Sequence, residues 1–266
     1  MLILRSLAYK IAFYANTVLQ MIFWTPYYFL APRLKAWFIP KFWARSNLWL
    51  LKVIVGTESR FEGLENLPDG PFILAPKHQS TWDTLSLFPF LKDPVYILKR
   101  ELMWIPLFGW YVGKMQMIPI DRGARSRALK KAMAIGRERM AAGRQLIIYP
   151  EGTRRPAGAE PVYKWGIVEL YAALNVPVVP VVHHAGLFWP RRKFHKYPGT
   201  IVARFLPPIE PGLEKQAFLD RLVAEMETAS DALLVEIATG PNPPPLTDLV
   251  RKRLAELGVD VAGGRN

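Results

Sequence analysis

Apolar and aromatic positions dominate the first fifty residues, with basic side chains among them and no acidic residue from Met1 to Leu51. Ile11 to Ala31 carries no charge, which approaches the length needed to span a bilayer. Asn16, Thr17, Gln20 and Thr25-Pro26 interrupt that run, so two helices broken near Pro26 or Pro32 fit as well as one spanning helix. The second half sets Arg33, Lys35, Lys41 and Arg45 among Trp37, Phe38, Phe42, Trp43 and Trp49, a mixture suited to a headgroup layer. No small-residue cleavage site follows, which argues against a removable signal peptide. The pattern predicts an N-terminal membrane-associated helical region over 1–51, as a hairpin lying in one leaflet. A hairpin packed on the protein core uses the same residues.

Beyond Leu51 short β-branched runs alternate with helical patterns. The strands predicted are Val53 to Phe61, Phe72 to Ala75, Val95 to Leu98, Met115 to Ile120, Gln145 to Tyr149, Val176 to Val182 and Thr200 to Phe205. Between them the spacing predicts helices over Thr81 to Leu91, Glu101 to Val112, Arg125 to Ala142 and Gly166 to Leu174. A later one over Leu213 to Ile237 carries an apolar stripe. This is the alternation of an α/β domain, here 52–240, with a largely parallel sheet flanked by helices. In such sheets the chemistry collects beyond the carboxyl ends of the strands. Residues 241–266 open on Pro243-Pro244-Pro245, pass through a last short helical pattern and end rich in glycine, which predicts a loosely held tail.

Charge and composition narrow the partners. With 35 Lys plus Arg against 22 Asp plus Glu in 266 residues, the formal net charge is +13. That balance points to an anionic partner, and the 51% hydrophobic share with nine tryptophans favours anionic lipid or a phosphorylated substrate over nucleic acid. The chain has no cysteine, which removes disulfides, thiol nucleophiles and cysteine-ligated metals. Four histidines with no tight carboxylate cluster give a metal site little support, and none is predicted.

Three strand ends hold candidate chemistry. The first is Lys77-His78-Gln79-Ser80-Thr81-Trp82-Asp83, after the apolar run Phe72 to Ala75 and Pro76. His78 and Asp83 fall on opposite faces of a strand and stand about 140° apart on a helix, so neither regular element joins them. A strand that ends at Pro76, turns through His78 and starts a helix near Ser80 or Thr81 does, giving a general base with an orienting carboxylate. A strand-end histidine beside an ordinary first-turn acid fits the same seven residues. The second is Pro150-Glu151-Gly152-Thr153-Arg154-Arg155, which brings a carboxylate, a glycine that lets backbone amides approach an anion, a hydroxyl and two forked cations to one strand end. The third is Ile120-Asp121-Arg122.

In order and spacing these blocks, with Val176 to Val181 as a fourth, resemble the glycerolipid acyltransferase family. His78 and Asp83 meet its H-x-x-x-x-D block, Ile120 to Arg122 its I-D-R, Pro150 to Arg154 its P-E-G-T-R, and Val176 to Val181 its proline-punctuated strand. Pro119 stands where the family has an aromatic residue and Gln116 where glycine is common. His183 to Pro190 and Tyr197 to Ile201 further resemble the bacterial 1-acylglycerol-3-phosphate acyltransferases.

The resemblance implies that His78 and Asp83 form the catalytic pair and that Arg122 and Arg154 bind a substrate phosphate, with Glu151, Gly152 and Thr153 beside them. It implies acyl-CoA or acyl-carrier protein as co-substrate, no cofactor, lysophosphatidic acid as acceptor at its sn-2 hydroxyl, phosphatidic acid as product, and a place on the cytoplasmic face of the bacterial inner membrane. Another lysophospholipid or glycerol phosphate as acceptor stays open, as does a non-catalytic protein that binds anionic lipid. The intact base and orienter weigh against the last.

Overall fold

The computed structural model describes residues 1–121, 123 and 125–260. Seven strands, β1 (Thr57–Glu62), β2 (Ile73–Pro76), β3 (Pro94–Lys99), β4 (Ile118–Ile120), β5 (Gln145–Ile147), β6 (Val178–His183) and β7 (Gly199–Phe205), form one sheet in the order β1-β7-β6-β2-β5-β3-β4. All neighbours run parallel except β6 and β7. The central strands β2 and β6 are buried along their whole length, as near-continuous apolar runs covered on both faces require. Alternation then divides the core. Ile73, Ala75, Val178 and Val182 pack in one layer with helices α6 (Arg125–Ala141), α7 (Gly166–Leu174) and α9 (Lys215–Thr239). Leu74, Val179, Val181 and Ala203 face the other layer, which holds the N-terminal helices and Trp82 of α4 (Trp82–Ser86).

The N-terminal region is a hairpin of α1 (Leu2–Leu30) and α3 (Phe38–Leu50), joined through Ala31-Pro32 and the single turn α2 (Arg33–Ala36). The helix passes through Pro26 and stops before Pro32, so the break falls at the second of the two alternative positions. Asn16, Thr17 and Gln20 do not interrupt α1; they glue it to its partner. Asn16 and Gln20 each donate to Ser46 Oγ at 2.9 Å, and Trp43 Nε1 donates to Thr17 Oγ1 at 2.9 Å. Tyr9, Tyr28, Trp37 and Ile39 are buried against the body, while Leu4, Leu7, Ile11, Tyr14, Val18 and Ile22 stay exposed along one side of α1. Among the described residues no helix is long and apolar enough to cross a membrane.

Where element boundaries differ from those predicted, a local rule was overruled or interrupted. Val53 to Val55 extend α3 as a wide helical turn that Gly56 ends at φ +84°, so β1 begins only at Thr57. Pro89 limits the helix predicted over Thr81 to Leu91 to α4 and a separate 3₁₀ turn, Phe88–Phe90. Pro106 likewise divides Glu101 to Val112 into a 3₁₀ stretch, Arg100–Trp104, and α5 (Phe108–Lys114). The tail is not loose throughout: α10 (Asp248–Glu256) buries Val250 and Leu254 completely and pairs Arg253 with Asp231 of α9.

Candidate active site

Strand β2 carries the chain to the site, and its ladder continues one residue further through Lys77 N–H to Val181 O at 2.9 Å. The chain then turns through Gln79 and Ser80 into α4, and the backbone amides of that turn need acceptors. Asp83 supplies them: Oδ2 accepts from Gln79 N at 2.8 Å and Ser80 N at 2.7 Å, and Oδ1 meets His78 Nδ1 at 2.9 Å. The carboxylate is wholly buried and the imidazole 14% exposed. A buried carboxylate that accepts at Nδ1 fixes the proton there and leaves the Nε2 lone pair free. Nε2 has no hydrogen-bond partner among the described residues.

The end of β5 braces this loop from the side. The Tyr149 ring stacks on the imidazole with centroids 3.9 Å apart, and its hydroxyl donates to Asp83 O at 3.2 Å. His78 N–H donates to Glu151 Oε2 at 2.7 Å, and Arg155 N–H donates to His78 O at 2.7 Å. Glu151 is 4% exposed, and burial pushes its carboxyl up to about 7, against the pull of the His78 amide and the Lys77 ammonium. Glu151, which the resemblance sets beside the phosphate-binding arginines, has its carboxylate engaged by the backbone of His78.

Gly152 sits at φ +70°, where a Cβ would also crowd Lys164 Cγ at 3.2 Å. Thr153 is exposed and Arg154 half-buried. The guanidinium of Arg154 has no protein acceptor among the described residues, and its carbonyl accepts from Arg191 Nη1 at 3.1 Å. Asp121 lies past β4, three strand positions from β2 or about 14 Å. It pairs with Arg100 at 3.1 Å. Arg122 lies outside the described residues. Among those described, no group of three His, Asp or Glu side chains is arranged to hold a metal ion.

An acyltransferase family model matches residues 58–184, the stretch that contains every strand end just described. A 1-acyl-sn-glycerol-3-phosphate acyltransferase of Pseudomonas aeruginosa is 36% identical over 213 residues, covering 79% of this chain and 81% of that protein. The chain belongs to the acyltransferase family. The mouse 1-acyl-sn-glycerol-3-phosphate acyltransferase alpha is 28% identical over 165 residues, 59% of this chain and 57% of its own length. In fold, the acyltransferase is similar to the crystal structure of the 1-acyl-sn-glycerophosphate acyltransferase PlsC from Thermotoga maritima. The TM-score is 0.72 at 24% identity, over 88% of this chain and 99% of that one.

Four residues around the candidate site of the acyltransferase have no role in the motif reading. Tyr149, read only as the end of a strand, is the platform under His78. His183, fully buried with its pKa held down by that burial, donates Nε2–H to Lys77 O at 2.8 Å and stands 3.8 Å from Asp83 Oδ2. Its position one strand over, at the end of β6, was the available signal. Arg191 arrives from the basic run Arg191-Arg192-Lys193 and places a second cation beside Arg154. Glu227 comes from α9, 150 residues from its partner Lys77, and no local pattern marks it.

Proposed function

We propose that this acyltransferase moves a fatty acyl chain from the thioester of acyl-CoA or acyl-carrier protein to the sn-2 hydroxyl of lysophosphatidic acid. The observation that carries the reading is the His78–Asp83 pair, with Nδ1 tied at 2.9 Å to a carboxylate that two backbone amides hold in place. His78 Nε2 takes the proton of the acceptor hydroxyl as its oxygen attacks the thioester carbonyl, and buried Asp83 stabilises the imidazolium that forms. When the tetrahedral adduct collapses, the carbon–sulfur bond breaks and the imidazolium returns the proton to the thiolate. Phosphatidic acid and free thiol leave. We assign no cofactor beyond the donor itself.

Arg154, with Gly152 and Thr153 on the same turn, is the group we assign to the acceptor phosphate, because its guanidinium is half-buried and unpaired among the described residues. Arg122 joins it on the sequence pattern alone. The acceptor and product are lipids and the donor is water-soluble, so the site belongs at a membrane surface on the side that holds the donor, the cytoplasmic face of the inner membrane. The exposed apolar side of α1 supports that placement. The test supplies purified protein on anionic vesicles with an acyl thioester and a panel of lysophospholipids, and follows release of thiol. Lysophosphatidic acid should be the preferred acceptor, and His78→Ala should lose about a hundredfold or more in rate. Activity of His78→Ala within a few-fold of the parent removes His78 as base.

A further inference from the structure

Behind the His78 loop lies a small polar cavity of about 20 Å³, room for one water, lined by Lys77, Gln79, Glu151, His184, Glu227 and Ser230 among others. The Lys77 ammonium reaches Glu227 Oε1 at 2.7 Å, with side chains only 8% and 17% exposed. The same oxygen accepts from Tyr163 OH at 2.5 Å. Lys77 is the residue before His78, and its backbone is pinned on both sides, by Val181 O and by His183. Tyr163 precedes Lys164, whose N–H donates at 2.8 Å to Pro150 O, beside Glu151. One carboxylate of α9 therefore grips the strand-end loops of both β2 and β5. A buried ion pair gives stability no better than an apolar pair of the same volume. A pair set against the base needs another reason.

We propose that Glu227 is a positioning residue for acyl transfer, holding Lys77 and Tyr163 so that the loops bearing His78 and Glu151 keep their register. The proposal rests on His78 being the base. Glu151 is faced by Lys77 and Arg155, which favour its anion, by Glu227, which disfavours it, and by the His78 amide it accepts from; Glu160, His184, Asp231 and Arg253 line the same cavity, and Tyr163 reaches Glu227. An anionic Glu151 holds that amide with a charge-assisted bond, and a protonated one holds it less firmly.

The two partners therefore make opposite predictions. Glu227→Gln removes a negative charge beside Glu151 and should move the acid limb of the kcat profile to lower pH. Lys77→Met removes a positive charge and should move it to higher pH. Both should lower kcat per folded molecule by about ten- to hundredfold, with acceptor KM within about twofold, since Arg154 is untouched. Glu227→Leu, which leaves no acceptor, should fall below Glu227→Gln. Tyr163→Phe deletes one hydroxyl and should lower kcat severalfold without loss of fold. An acid limb that does not move, or moves the same way in both charge variants, overturns the proposal, and so does unchanged kcat in Tyr163→Phe. His78→Ala in the same assay separates the failures. If it is active, the base assignment falls and takes this proposal with it; if it is inactive beside an unmoved limb, only the role of Glu227 falls.

Discussion

Asp83 has three acceptor contacts to lose and only one of them is chemical. Asp83→Asn keeps an oxygen for the Gln79 and Ser80 amides but removes the charge facing the imidazolium, so rate should fall by about a hundredfold or more while acceptor binding is kept. Arg154→Ala should weaken acceptor binding by about ten- to hundredfold, through a lost charge-assisted contact of roughly 1.5–3 kcal/mol, and Arg154→Lys should rescue it only in part because the fork is gone. Glu151 and His184 give stability opposite pH slopes. The Glu151 carboxyl is raised to about 7, so its ionised form penalises the fold at higher pH and the penalty is relieved as pH falls from about 7 toward the ordinary 4.5. The His184 imidazole is lowered to about 3 by burial, so the fold loses stability as pH falls from the ordinary 6.5 toward 3, where the unfolded chain takes up a proton that the buried ring does not. Between 4.5 and 6.5 the two effects oppose each other. Glu151→Gln should therefore expose a steeper acid loss of stability across that window, measured by denaturant unfolding at several pH values. A slope unchanged from the parent would show that Glu151 is not carrying the linkage. His78 and Asp83 were legible because turn chemistry decides how five residues fold back. Tyr149 and Glu227 were not, because distant strands and helices bring them in.

The seven strands stood out in the sequence as β-branched runs between breakers; β2 and β6 have close to their predicted lengths, whereas β5 ends at Ile147 and β4 begins only at Ile118. Helices with internal proline were read too long, since an apolar stripe persists across Pro89 and Pro106 where the backbone hydrogen bonding does not. The tail differs in its attachment: a short helical pattern behind three prolines looks unanchored in the sequence, yet its nine residues dock. In α10, Val250 and Leu254 enter the layer that holds Leu234 of α9, and Thr247 caps the helix through Val250 N at 3.4 Å. Leu254→Ala should cost about 2–5 kcal/mol, the range for a leucine deleted from a packed core. Calorimetry should show one transition shifted downward. A change within error would mean that α10 docks without contributing to the fold.

At the scale of the whole molecule the hairpin has two sides with different tasks. Its inner side belongs to the core with Phe72, Phe88 and Phe188, whereas the outer side of α1 presents a continuous apolar stripe that a soluble monomer rarely leaves open. The basic residues of α2 and α3 divide in the same way. Arg33 pairs with Asp93 and Lys41 donates to Leu91 O at 2.5 Å, so both cations are spent on the body, while Lys35 and Arg45 are exposed. Sequence alone gave all four an equal claim on lipid phosphate; the fold leaves that claim to two. In the proposed orientation, each free cation contributes about 1 kcal/mol at an anionic surface, fading as salt rises. Lys35→Gln with Arg45→Gln should then weaken binding to phosphatidylserine vesicles by roughly thirtyfold at low salt and much less at high salt. Ile11→Glu with Val18→Glu should release the protein from anionic and neutral vesicles alike, because it breaks the stripe itself. Co-sedimentation separates these outcomes. If the stripe variant binds vesicles as the parent does, α1 does not lie in the lipid and the hairpin serves the core alone.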